Sequence, residues 1–242
     1  MNTSIKLSEI TARARGRLQG HYGQALLITI SYFIFMLFLE TVAELFNHDT
    51  SVLAFSIGII ASLVISAICI KYKISMVAYF LDIAIGKKPA SSNVYNSFIK
   101  EGGGKSGLAI SLAVFQQICY LPAYIIVYMF DSSKITYSIM LLIALILGAL
   151  VFWIIDIRLL PAYYLVSDIP NISSAKAMVT GLWLSRNQFF KILLLKLYFI
   201  PLIILGVLSC GIGLLYVYPY MSPSEASLYL QLCKIKETDD EQ

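Results

Sequence analysis

Three residues stand at four-residue spacing, Glu40, Glu44 and His48. On a helix that spacing stacks them along one face. Carboxylates and imidazole are ordinary metal ligands. The row is therefore either one wall of a cation site or the solvated lip of a helix. A second candidate is electrostatic. Asp156 and Lys196 fall at the inner ends of two apolar runs, where a carboxylate and an ammonium from neighbouring helices neutralise each other. Asp82 is the rival partner for Lys196, and a lone lysine there would instead snorkel to the headgroups. A third candidate is Glu101-Gly102-Gly103-Gly104-Lys105-Ser106, which reads like the end of a phosphate-binding loop. The full motif needs a glycine where Ile99 stands and a strand before it. This segment reads as a flexible glycine hinge, and nucleotide binding is not expected.

The elements that must carry these residues follow from composition. The 242-residue chain is 59% hydrophobic and 13% charged. An ordinary soluble domain is about 45–50% apolar and about 25% charged. So much apolar surface calls for lipid as the solvent, and the expected fold class is an all-α membrane protein in a single domain, 1–242. A spanning helix needs about 20 apolar residues. Runs at 24–46, 51–72, 107–130, 135–157 and 190–208 qualify. A sixth, 212–233, carries Pro219, Pro223 and Glu225. It is either a sixth span after a turn at Cys210–Gly213 or the tail of one long, kinked fifth helix. The six-span reading is preferred, because Lys234 and Lys236 follow the run directly. More than twenty mostly polar residues precede the first run and no AxA-like site follows it, so a cleaved signal peptide is not expected.

Basic residues set the orientation. Lys6, Arg13, Arg15 and Arg17 precede the first run. Lys71, Lys73, Lys87, Lys88, Lys100 and Lys105 lie between the second and third, and Arg158, Lys176, Arg186 and Lys191 between the fourth and fifth. On the other side only Lys134 is basic. Both termini are therefore expected in the cytoplasm. With helix four starting at Ile135, Asp156 falls about 31 Å further in, at the inner edge of an apolar core about 30 Å thick. Lys196 falls about 7 Å inside that edge.

Three inner segments read as amphipathic interfacial helices. In 8–20 the stripe is Ile10, Ala14 and Leu18; in 92–100 it is Val94, Tyr95, Phe98 and Ile99; in 173–188 it is Ala175, Met178, Val179 and Leu182. Such helices lie in the headgroup plane or pack on the inner ends of the spans. Arg13, Arg15 and Arg17 are the expected contacts to anionic headgroups. Helices one, three and five begin roughly 83 residues apart, which hints at three copies of one unit: interfacial helix, span, short outer turn, span.

Gly58, Ser62 and Ser66 recur at four-residue spacing and suit close helix packing. Tyr163, Tyr164, Tyr216, Tyr218 and Tyr220 suit interfacial belts. The four cysteines, Cys69, Cys119, Cys210 and Cys233, form neither a CxxC pair nor a zinc set. No HExxH and no GxSxG occurs. No catalytic residue, cofactor or nucleic-acid partner is expected. Membrane lipids and a membrane protein partner are.

The text Arg158-Leu-Leu-Pro161-Ala-Tyr-Tyr164, then Asp168-Ile-Pro170, Ala175-Lys-Ala177, Leu184-Ser-Arg186-Asn187, Phe190-Lys191-Ile192, Gly211-Ile-Gly213, Tyr218-Pro219-Tyr220 and Tyr229 resembles a family of bacterial integral membrane proteins. Ala12-Arg13 through Leu18-Gln-Gly20 adds to it. The family is domain of unknown function nine-seven-five, common in Gram-positive genomes. The resemblance implies six membrane helices in a bacterial plasma membrane and no reaction. The chain departs from the family pattern where Pro161 is followed by Ala162 rather than glycine, which leaves a sharp bend there in doubt. Two function classes lead: a non-enzymatic protein of envelope homeostasis or of immunity to membrane-active peptides, and a small transporter or channel subunit. A lipid-directed intramembrane enzyme ranks last.

Overall fold

The computed structural model describes residues 7–44, 52–100, 103–129, 135–169, 171–186, 188–209 and 211–240. Nine helices make up the regular structure among them: α1 (Leu7–Leu18), α2 (Tyr22–Glu44), α3 (Val52–Ile85), α4 (Ser92–Lys100), α5 (Gly103–Met129), α6 (Ile135–Asp168), α7 (Ser174–Arg186), α8 (Phe189–Leu208) and α9 (Leu214–Asp240). They fall in the order short, long, long three times over. Five segments, Tyr22–Val42, Ser56–Ile85, Gly103–Met129, Ile135–Asp168 and Phe189–Leu208, are long and apolar enough to cross a membrane. The chain is a multi-pass integral membrane protein.

Two helices run on past the expected ends of their spans, 72 and 157. Both α3 and α6 have 34 residues, about 51 Å at about 1.5 Å per residue, against an apolar core of about 30 Å. No breaker follows residue 72 until Gly86, whose φ of 97° ends α3 in a left-handed cap. The amides of Gly86 and Lys87 there take the carbonyl of Asp82 at 3.1 and 2.9 Å. In α6 the helix runs straight through Pro161 to Asp168. Pro122, Pro201, Pro219 and Pro223 also sit within helices.

The core is concentrated on the inner extensions. Ile74, Phe80, Ile157, Tyr163 and Tyr164 are buried there, whereas Ile60, Ile118, Leu142 and Leu147 on the outer stretches are exposed. Each span has only 11–22% of its most apolar window buried inside the protein, as lipid-facing helices require.

The tail after α8 folds back rather than continuing it. Gly206 and Gly213 meet so closely that a Cβ built on Gly213 lies 2.7 Å from the Cα of Gly206. Further inward Lys196 of α8 meets Glu225 of α9, so the two helices run antiparallel. Residues 222–229 of α9 are all buried. That is the pattern of a helix packed on every side.

The short helices differ in how well their faces were foreseen. Ile10, Ala14 and Leu18 of α1 are buried as expected, against protein: Arg15 lies over the Tyr220 ring at 5.3 Å, and Arg17 covers Gly86. In α4 the stripe splits, with Val94 buried, Tyr95 and Ile99 exposed. In α7 most of the expected apolar stripe faces away from the protein, where an interfacial helix would meet lipid. Val179 and Leu182 are exposed, and Ala177, Gly181, Leu184 and Ser185 are buried. A Cβ on Gly181 would lie 2.7 Å from the backbone nitrogen of Ala162. Small residues admit α6 to that distance, and size rather than hydropathy chose the face.

The described part of the EGGGKS segment, from Gly103 onward, is also explained by packing, while Glu101 and Gly102 lie outside the described residues. Gly103 opens α5, and a Cβ on Gly104 would lie 2.3 Å from the Ile172 carbonyl oxygen. A Cβ on Gly107 would lie 2.6 Å from Ser174 Oγ. Glycine at 104 and 107 is needed for close approach, not for a hinge.

Candidate functional site: a ladder of charges inside the bundle

Four ionisable side chains from four helices come together within the bundle. Lys73 of α3 and Asp156 of α6 form one ion pair, with Nζ 3.1 Å from Oδ1 and 3.4 Å from Oδ2. Lys196 of α8 and Glu225 of α9 form the other, at 2.5 Å. Lys196 is also within electrostatic range of Asp156. The order Lys73, Asp156, Lys196, Glu225 is thus an alternating chain of plus and minus. Charges this far from water are costly alone and persist when each has a partner.

The depth of this ladder follows from the shorter helices. Lys196 is seven residues, about 10 Å, inside the start of α8. Tyr32, ten residues or about 15 Å inside the start of α2, stacks on Tyr72 beside Lys73 at 5.8 Å. The ion pairs therefore stand about two helical turns or more in from the starts of α2 and α8.

Aromatic groups surround the first pair. The Tyr163 hydroxyl donates to Asp156 Oδ1 at 2.5 Å, and Lys73 Nζ lies 4.9 Å from the Tyr163 ring centroid. Tyr163 stands seven residues after Asp156, two helical turns further along one face. Tyr32 also stacks on Tyr218 of α9 at 6.0 Å, and Ser31 Oγ and Tyr72 Oη share a hydrogen bond of 2.7 Å. Lys73 and Asp156 keep 26% and 14% of their side-chain surface exposed, against 13% and 8% for Lys196 and Glu225.

At the Asp82 end of α3 a crevice of about 340 Å³ is lined by Ser75, Tyr79, Asp82, Asn93, Lys100 and Ser167, among others. The Ser167 hydroxyl donates to the carbonyls of Tyr163 and Ile74, at 3.1 and 3.4 Å. The crevice thus ends within about one helical turn of the Lys73–Asp156 pair.

The expected Asp156–Lys196 pair is corrected in its partners. Both residues are half-buried in the bundle, but each has another counterion at contact distance. Depth is the reason. Asp156 is not at the end of its helix, because α6 continues twelve residues beyond it, and α3 carries Lys73 to the same level. Asp82 is paired with Lys87 at 3.4 Å instead of Lys196. Lys73 was read as an inner-loop cation and Glu225 only as a weakness of the sixth run. The signal for Glu225 was its place in the middle of that run, opposite Lys196 in a hairpin turning at 209–213. Tyr163 and Tyr164 are not belt residues: both are buried, and Tyr164 donates to the Ser222 carbonyl at 3.2 Å.

The remaining sequence candidates separate. Arg13, Arg15 and Arg17 are exposed on α1. Glu40 is exposed on α2, while the Glu44 side chain and His48 lie outside the described residues. Among the described residues no cluster of three His, Cys, Asp or Glu side chains is placed to hold a metal. Ser62 does serve helix packing, accepting a hydrogen bond from Gln117 of α5 at 3.1 Å.

Comparison with known proteins adds no relative: no family model, no curated protein and no solved structure matches the chain.

Proposed function

We propose that this protein is a small secondary carrier of a bacterial plasma membrane, non-enzymatic, with the four-charge ladder as its translocation site. The observation that carries this reading is the alternating Lys73, Asp156, Lys196, Glu225 chain, drawn from four helices and set within the helix bundle. Intramembrane ionisable groups on a bundle interior mark substrate or ion pathways, and here two of the four helices that supply them, α8 and α9, contain prolines. Asp156 has two lysines within range, so a small shift of α8 and α9 against α3 and α6 would exchange its partner. That exchange is a two-state element of the kind alternating access needs.

In this reading α9 is the sixth span, both termini are cytoplasmic, and the three short-long-long units are copies of one repeat. Membership of domain of unknown function nine-seven-five fits the same architecture. Arg13 and its neighbours on the exposed side of α1 meet anionic headgroups of the inner leaflet.

The carrier reading is tested in proteoliposomes. Concentration jumps of amino acids, organic ammonium ions, organic acids and protons are applied in turn, and charge movement is recorded on a supported membrane. At least one class should give a current that Asp156→Asn abolishes. Flat traces for all four classes, with folded protein in the bilayer, would rule the carrier out.

The second reading is an accessory protein of envelope homeostasis or peptide immunity. It is favoured by two apolar grooves of about 400 and 370 Å³, one lined by Ile59, Ile118 and Ile125, the other by Pro122, Ala144 and Leu147. Such grooves on lipid-facing helices suit a membrane-inserted partner.

A further inference from the structure

The pair that is open to exchange is Lys73–Asp156. Its side chains are the more exposed of the two pairs, at 26% and 14%. What Asp156 offers Lys73 is a complete cradle for an ammonium group. Both carboxylate oxygens face Nζ, and the Tyr163 ring lies beneath it at 4.9 Å. The Tyr163 hydroxyl donates to Oδ1 and so orients the carboxylate. The rings of Tyr32 and Tyr218 stand beside it, close enough to sense both charges.

Carboxylate and aromatic face select the same ligand class. A carboxylate forms its strongest hydrogen bonds with ionised N–H donors. A ring face attracts a cation through its quadrupole, the more strongly the less water reaches it. Neither attracts an anion. The occupant, a lysine ammonium, is a compact charge on a flexible four-carbon stem, able to leave by rotation about its own bonds.

We infer that Asp156 and Tyr163 form a binding site for a small alkylammonium ion, which takes the place of the Lys73 ammonium. The inference rests on the carrier reading for its purpose and names the substrate class of that site. Lys73 is then a tethered competitor. It fills the site when substrate is absent, and it keeps the buried carboxylate from standing uncompensated.

The test is equilibrium binding to the full-length protein in nanodiscs, with no gradient present. The probe is butylammonium, which is the lysine side chain without its backbone, and butyrate serves as the anionic counterpart. Wild type should bind butylammonium weakly and saturably, and butyrate not at all. Lys73→Met, which removes the competitor, should bind butylammonium at least tenfold more tightly. Lys73→Arg, which keeps a tethered cation, should stay near wild type. Asp156→Asn should lose saturable binding. Saturable butyrate binding, an affinity of Lys73→Met no better than wild type, or retained binding in Asp156→Asn would each overturn the inference. If Lys73→Met does not stay monodisperse, wild type against Asp156→Asn decides alone, and no saturable wild-type binding overturns it. Binding without flux in proteoliposomes would leave the ammonium site standing and remove the carrier. Flux of another solute without butylammonium binding would do the reverse.

Discussion

Replacing Lys196 by methionine leaves Glu225, itself 6% exposed, without a counterion. At 2.5 Å and an effective dielectric of about 20, the gross attraction between unit charges is roughly 7 kcal/mol. Taking both charges out of water consumes most of that, so the intact pair adds little net stability. Breaking it is another matter, because removal of one partner strands a buried charge at about 3–5 kcal/mol. The expected loss for Lys196→Met is therefore about 3 kcal/mol, and Glu225→Gln should lose a similar amount. The double variant should lose about 1–3 kcal/mol less than the sum of the two, because an amide and a thioether leave no charge to solvate. Unfolding in mixed detergent micelles, titrated with dodecyl sulfate, gives the four free energies of the cycle. A coupling of about 1–3 kcal/mol is expected for Lys196 with Glu225. A matching value is expected for Lys73 with Asp156, whose separation is 3.1 Å. The cross pair, Asp156 with Lys196, should couple more weakly than either. A near-zero coupling for Lys196–Glu225, with a large one for Asp156–Lys196, would refute the pairing described here.

Three other outcomes are expected. Gly181→Ala should lower stability by about 1–2 kcal/mol, although alanine normally favours a helix, because the added Cβ meets Ala162 at 2.7 Å; a rise in melting temperature in detergent would contradict the α6–α7 contact. Reporter fusions at Gln242 should read cytoplasmic, and an extracellular reading would remove α9 as a sixth span. Exchanging Arg13, Arg15 and Arg17 together for glutamate should reduce insertion or invert α2, since each basic residue near the surface is worth about 1 kcal/mol; unchanged topology in a cysteine-accessibility assay would assign orientation to the other inner lysines.

The membrane character, the helical class and the approximate places of the five apolar spans are legible in the chain itself. They follow from local composition, because an apolar run long enough to cross lipid has few other homes. The buried stripe of α1 was legible for the same reason: period and polarity agree at Ile10, Ala14 and Leu18. Where two faces of a helix are both apolar, as in α7, periodicity could not choose between them. The steric demand of Ala162 did, by admitting only glycine. The ends of α3 and α6 escaped because polar residues were taken as the end of the span. There the helices leave lipid and continue into a protein core made by α1, α7 and α9.

The ion pairs mark the same boundary. Composition alone determined that Asp156 and Lys196 each need a partner or a route to water, as a charge in an apolar run does. Which partner each has was decided by how α3, α6, α8 and α9 align in depth. That alignment is set in part by contacts away from the charges, such as Gly206 on Gly213. Pairing between helices depends on register to within one helical turn, about 5 Å, and apolar runs with soft ends do not specify register so finely. Only the packed tertiary structure does.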